Sequence, residues 1–211
     1  MNADRFRAVA ADAAVLAGEI QRARLGTDIR IEHKGVLDLV TEVDRACEEA
    51  IVARLRRSFP DHDVVAEEGG GSLRGSDFVW YVDPLDGTTN FAHGYPFFCA
   101  SIALAHRGVT LAGAVYDPVK DELFTAARGR GATCNGRALK VSSTKSLAQS
   151  VLVTGFPYDL RDDVPHTMRL FERFLHHARA LRRDGAAALD LAYLAAGRID
   201  GYFEERLKPW D

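Results

Sequence analysis

A chain of 211 residues can bury one substantial core, and 47% hydrophobic with 27% charged residues excludes a disordered composition. A formal charge of -3 at pH 7 argues against nucleic acid as a partner, and the absence of a long apolar run argues against a membrane span. Cys47, Cys99 and Cys134 lack CxxC or Cys/His ligand spacing, which speaks against a disulfide framework or zinc site; the charged amino terminus has no signal-peptide core, so a cytoplasmic location is expected.

Phe6, Val9, Ala10, Ala13, Leu16, Ala17 and Ile20 recur at helical spacing and predict a helix over Ala3–Arg24, closed by Gly26. A short strand over 29–31 and a turn at His33-Lys34-Gly35 follow. Thr41 and Asp44 have capping-box spacing for a second helix, with Val43, Cys47, Ala50 and Ile51 inward and Pro60 as its stop. A strand over 64–66 runs into Glu67-Glu68-Gly69-Gly70-Gly71. By spacing alone Asp44 is a helix-start acid, Lys34 a solvated charge and Glu68 a surface acid.

Segments 101–105, 111–116 and 123–126 read as an antiparallel meander punctuated by Arg107-Gly108 and Asp117-Pro118. Gly129, Gly131 and Gly136 do not form a nucleotide loop, because Cys134 takes the place of a required glycine. A strand over 150–154 precedes a helix marked by Pro165, Met168, Phe171, Phe174, Leu175 and Ala178, with Asp162 and Asp163 before it. His176 and His177 are adjacent, point apart and read as surface residues. A helix over 186–196, with Leu191, Leu194 and Ala195 inward, leads to a strand over 199–204; Asp190 and Glu204 read as solvated acids.

The most informative stretch is Trp80-Tyr81-Val82-Asp83-Pro84-Leu85-Asp86-Gly87-Thr88-Thr89-Asn90-Phe91. Pro84 bends the chain between two acids, and two like charges aimed together require a cation. With no His or Cys in the stretch, oxygen ligands point to Mg²⁺, and Gly87 with the following hydroxyls suits a phosphate. The competing reading is two ordinary turns, for which Asp, Pro, Gly and Asn are common residues.

Asp83-Pro84-Leu85-Asp86-Gly87-Thr88-Thr89-Asn90-Phe91 closely resembles the signature of the inositol monophosphatase family, Mg²⁺-dependent and lithium-sensitive phosphatases of small phosphorylated alcohols. Further family elements occur in order: Asp38-Leu39-Val40-Thr41-Glu42-Val43-Asp44, then Glu67-Glu68 preceded by Ala66 where many relatives have glycine. Gly185-Ala186-Ala187-Ala188-Leu189-Asp190-Leu191-Ala192, with Ala186 in place of the usual serine, is followed by Gly201-Tyr202-Phe203-Glu204 and Lys208-Pro209-Trp210-Asp211. The resemblance implies an α/β (α+β) fold, a layered αβαβα sandwich of the inositol monophosphatase and fructose-1,6-bisphosphatase type, with residues 1–211 one phosphatase domain of a longer chain that continues after Asp211.

It also implies roles. Glu67, Asp83 and the Leu85 carbonyl hold one Mg²⁺, while Asp83, Asp86 and Asp211 hold a second. Glu67 and Thr88, the latter backed by Asp44, orient the attacking water, and Lys34 lies near metal and phosphate. The amides of Gly87 and Thr88 hold the phosphate oxygens, Gly185, Ala186 and Glu204 contact the alcohol, and Asp86 and Asp211 are substrate-binding as well as metal-binding. Inositol 1-phosphate is the expected substrate and a homodimer the expected assembly. Histidinol phosphate, fructose 1,6-bisphosphate, 3'-phosphoadenosine nucleotides, or a non-catalytic interaction module are the alternatives.

Overall fold

The structure, a computed structural model, describes residues 2–35, 39–157, 160 and 163–211. Asp38 of the first family element, and Asp162 before the fourth helix, lie outside the described residues.

Helix α1 (Ala3–Arg24) has the expected bounds and ends where Gly26 adopts φ 72°. Its buried stripe is Phe6, Val9, Ala10, Ala13, Ala14, Ala17, Gly18 and Gln21. Leu16 is 36% exposed, whereas Gln21 is fully buried. The early strand forms later than its apolar residues suggest: β1 (Ile31–His33) pairs antiparallel with β2 (Leu39–Thr41). Helix α2 (Glu42–Ser58) begins with the full capping box, Thr41 and Asp44 each accepting from the other's backbone.

A seven-stranded sheet in the order β3-β4-β5-β6-β7-β8-β9 forms the centre. Its strands are β3 (Asp63–Ala66), β4 (Phe78–Asp86), β5 (Cys99–His106), β6 (Val109–Asp117), β7 (Glu122–Ala127), β8 (Gly131–Cys134) and β9 (Arg137–Ala138). From β4 onward it is the expected antiparallel meander, and β3 alone adds parallel. Arg107 and Gly108, both with positive φ, make the two-residue turn between β5 and β6.

Alternation along the strands divides the core. Trp80, Val82, Ala100, Ile102 and Leu104 pack against α1 and α2, while Cys99 and Phe124 face a second cluster with Ala186, Ala188, Leu189 and Ala192. These last four belong to α5 (Ala187–Ala195) and the residue before it. Leu191, expected inward, is 38% exposed, and Asp190 takes a buried place instead.

The carboxy-terminal part is a parallel three-stranded sheet, β11-β10-β12, built from β10 (Val151–Thr154), β11 (Ala180–Arg182) and β12 (Gly201–Phe203). Helix α4 (Val164–Leu175) packs on it through Phe174, 4.2 Å from the Phe203 ring. Helix α5 lies between the two sheets, so the layers run α1/α2, large sheet, α5, small sheet, α4. The expected αβαβα sandwich is observed. Among the described residues no helix is long and apolar enough to cross a membrane.

Candidate active site

Two parallel strand ends create the site. Ala66 of β3 stands opposite Val82 of β4, and the Glu67 amide donates to the Val82 carbonyl at 3.2 Å. The residue after each is an acid, so Glu67 and Asp83 emerge side by side. In a regular strand Asp86, three residues further, would face away from Asp83. Instead Asp83 pairs with Ser101 and Asp86 with Cys99, three steps on β4 against two on β5, and this β-bulge turns both carboxylates toward one another. The convergence attributed to Pro84 is thus the work of the bulge in which Pro84 sits.

Gly87 follows with φ 91°, a left-handed conformation that favours glycine. A Cβ there would also meet the Phe97 carbonyl oxygen at 3.0 Å and the Ala186 Cβ at 3.2 Å. The turn opens the short helix α3 (Thr88–Ala92) and aims Thr88 at α2. Thr88 Oγ1 lies 2.9 Å from Asp44 Oδ1 and 3.0 Å from the Leu85 carbonyl oxygen, either of which can accept its proton. Asp44 also accepts from the Thr41 amide at 2.8 Å and the Thr41 hydroxyl at 2.5 Å. It therefore caps α2 and binds Thr88 at once.

The electrostatics are those of a cluster lacking countercharge. Burial raises Asp83 well above the ordinary carboxylate range, and Glu67, Asp86 and Asp211 reinforce the rise. Asp86 is pushed up to about 7, by burial first and by Asp211 and Glu67, against the amides that bind it. Glu67 is likewise pushed up to about 7 by burial, with Lys34 opposing and Glu68 and Asp44 adding to the shift. Burial also raises Asp211, whose carboxylate accepts from the Lys208 amide at 2.5 Å. Among the described residues no ion pair reaches Asp83 or Asp86, and Lys34 is spent on Glu67, 3.4 Å away, and on Glu68.

An all-oxygen donor set with two buried, repelling carboxylates fits the chemistry of a hard divalent cation such as Mg²⁺. The acids converge without closing around a point: among the described residues no three His, Cys, Asp or Glu side chains form a ready-made metal cage. Mg²⁺ tolerates such a site because it keeps waters and takes substrate oxygens.

Several residues that matter here are not evident from spacing. The amides of Ala187 and Ala188, at the start of α5, donate to Asp86 Oδ1 and Oδ2 at 3.2 and 2.7 Å. Glu48, one turn after Asp44 on α2, accepts from the Glu68 and Gly70 amides at 2.7 and 2.6 Å and so pins the glycine-rich loop. Its i+4 spacing from Asp44 is the only trace in the sequence. Asn90 ties the site turn to the segment before α5, donating to the Asp184 carbonyl at 2.8 Å.

Two acids read as solvated are not. Glu68 keeps a side-chain exposure of 7% and pairs with Lys34; Asp190 is buried beneath α5 and pushed up to about 8, by burial first and by Asp184 and Asp86. Glu204 is half-buried and accepts from the Tyr202 hydroxyl. Ala186 is buried against Gly87, and Gly185, with φ 91°, makes the turn into α5. The structure thus gathers Lys34, Asp44, Glu67, Asp83, Leu85, Asp86, Gly87, Thr88 and Asp211, with Glu204, just after β12, near enough for the Asp211 charge to raise its pKa. His176 and His177 are exposed, as expected.

A model of the inositol monophosphatase family matches residues 2–211. The chain belongs to this family. Its relative in Pseudomonas aeruginosa, named Nus factor SuhB, is 49% identical over 188 residues, covering 87% of this chain and 69% of the relative. The inositol monophosphatase of Anabaena (Nostoc) superimposes with a TM-score of 0.90 at 43% identity, over 100% of this chain and 79% of that one. A structure of SaIMPase-II with inositol monophosphate bound matches with a TM-score of 0.79 at 30% identity, over 98% of this chain and 75% of that one. The layered sandwich is therefore the phosphatase fold of the inositol monophosphatase family.

Proposed function

We propose that the chain is a Mg²⁺-dependent phosphate monoester hydrolase acting on inositol 1-phosphate. The observation that carries this reading is the burial of Asp83 and Asp86 close to Glu67 and Asp211, with no ion pair to either among the described residues, beside a Thr88 hydroxyl held by Asp44. Glu67, Asp83, Asp86, Asp211 and the Leu85 carbonyl would hold Mg²⁺, which when bound would neutralise the phosphate and lower the pKa of water.

The protein's own groups supply position. Asp44 holds Thr88 Oγ1, and Thr88 with Glu67 orients a water in line with the ester bond. As the water oxygen attacks phosphorus its proton passes to the Glu67 carboxylate beside it and on to solvent. The phosphorus–oxygen bond to the alcohol breaks, and the alcohol leaves with a proton from solvent. The amides of Gly87 and Thr88 face the phosphate oxygens. Glu204 and the backbone at Gly185 and Ala186 face the alcohol hydroxyls, the serine hydroxyl common at position 186 being absent. Little covalent work remains, so placement and charge dominate.

Phosphate release from inositol 1-phosphate, with Mg²⁺ and with EDTA, tests the reading. Activity that requires Mg²⁺ supports it, and silence on this substrate moves the assignment to histidinol phosphate, fructose 1,6-bisphosphate or 3'-phosphoadenosine nucleotides. A second reading follows from the name of the Pseudomonas relative, a Nus factor: an interaction role that does not need turnover. Asp86→Asn separates the two, because an interaction role survives that change and hydrolysis does not. A homodimer is part of the proposal, and light scattering of the purified protein checks it.

A further inference from the structure

Gln21 lies far from the site in sequence, in the last turns of α1, and is fully buried. Its Nε2 donates to the Pro84 carbonyl at 2.8 Å and reaches the Cys99 carbonyl at 3.4 Å. Both carbonyls belong to the bulge: Pro84 falls between the paired residues Asp83 and Asp86, and Cys99 is the partner of Asp86. At this point the regular ladder is interrupted and proline has no N–H to give. The amide orientation follows from chemistry, since a flip would set Oε1 against two carbonyl oxygens.

Oε1 itself finds no partner among the described residues in its buried setting. A buried unpaired amide oxygen costs stability, because the water it gave up on folding is not replaced. A leucine at this apolar helix position would remove that unpaired oxygen, but with it the donor to the Pro84 and Cys99 carbonyls; the glutamine keeps that donor. What it gains is a hold on the peptide linking the two metal-site acids.

We propose that Gln21 is a positioning residue that fixes the Asp83-Pro84-Leu85-Asp86 turn in its metal-binding shape. The inference rests on the metal site described above. Outer partners of metal ligands typically contribute about 10- to 100-fold in metal affinity or activity. A purely structural glutamine would change melting temperature and leave the metal affinity of the folded protein alone.

The test is calorimetric titration of the purified metal-free protein with MgCl₂, comparing the parent with Gln21→Met, which keeps the length and removes the donor. The expected result is a Kd for Mg²⁺ raised about 10-fold, with kcat on inositol 1-phosphate falling more than KM changes. A folded Gln21→Met that binds Mg²⁺ as the parent does overturns the proposal. Should that variant fail to fold, the parent still decides: the side-chain amide resonance of Gln21 should move through an MgCl₂ titration with the midpoint of Mg²⁺ binding, and an unmoved resonance overturns it. A parent that binds Mg²⁺ yet releases no phosphate from inositol 1-phosphate or from the alternative esters defeats the phosphatase reading while leaving Gln21 in its role. A parent that binds no Mg²⁺ defeats both.

Discussion

The start of α2 and the end of β4 each bury an aspartate, and they treat it in opposite ways. Asp44 receives the Thr41 amide, the Thr41 hydroxyl and the Thr88 hydroxyl, so its carboxylate is supplied with donors. Asp83 receives one amide, from Leu85 at 3.1 Å, and looks instead at Glu67, Asp86 and Asp211. A buried acid with donors is part of the scaffold. A buried acid surrounded by other acids is incomplete, and a fold carries that cost only where something else arrives to complete it.

The comparison breaks first at β4. Asp83→Asn should lower Mg²⁺-dependent phosphate release by more than about 100-fold, beyond the range for outer partners, while the melting temperature of the metal-free protein holds or rises as a repelling charge disappears; Asp86→Asn should lower release as much but also cost stability, because both its oxygens accept α5 amides. A fall in both for Asp83→Asn would put that acid with Asp44. Asp44→Ala should act on both properties: about 1 to 2 kcal/mol of stability from the lost cap, and about 10-fold in kcat through a loosened Thr88. Thr88→Ala should lower kcat by about 10-fold with KM nearly unchanged, and Thr88→Ser should restore it. If Thr88→Ala raised only KM, the hydroxyl would be a substrate contact.

The smallest effect is in pH. Glu67 and Asp86 rise from ordinary values of 4.5 and 3.8 to about 7 on folding, so the folded state binds their protons more tightly than the unfolded chain. Their charged forms therefore destabilise the metal-free protein above pH 7, and that burden is relieved as pH falls from about 7 toward about 4. Mg²⁺ takes the deprotonated acids, so the rise in melting temperature caused by MgCl₂ should grow as pH increases through 7. Thermal melts at pH 6 and 8 measure both trends, and a metal-induced rise that is equal at the two values would contradict these assignments.

What the sequence makes legible here follows from short-range physics. The bounds of α1 come from helical spacing and Gly26, and the start of α2 from Thr41 and Asp44, because propensity and capping act within a few residues. The acids of the central stretch, and the order of the family elements, were equally readable. Gln21, Glu68 and Asp190 were not. Each is a polar residue whose burial depends on a partner or a neighbour distant in the chain: the bulge for Gln21, Lys34 for Glu68, the small sheet for Asp190. The inward phase of α5 differs from its hydrophobic pattern for the same reason, since Leu191 is the more hydrophobic residue but Asp190 is the buried one. Strand pairing is also a long-range property, and the parallel attachment of β3 leaves no mark within its four residues.

That attachment has a consequence for how the site tolerates change. Glu67 and Asp83 leave adjacent parallel strands at matching register, so the spacing of their backbones is the inter-strand distance of a β-sheet, roughly 4.8 Å. This length is common to all sheets and is indifferent to the segment joining β3 to β4. That segment closes on Asp63, whose carboxylate accepts the amides of Arg74, Gly75 and Ser76. Evolution can therefore lengthen, shorten or decorate the connection without retuning the chemistry, whereas a one-residue slip of β3 would carry Glu67 to the opposite face of the sheet.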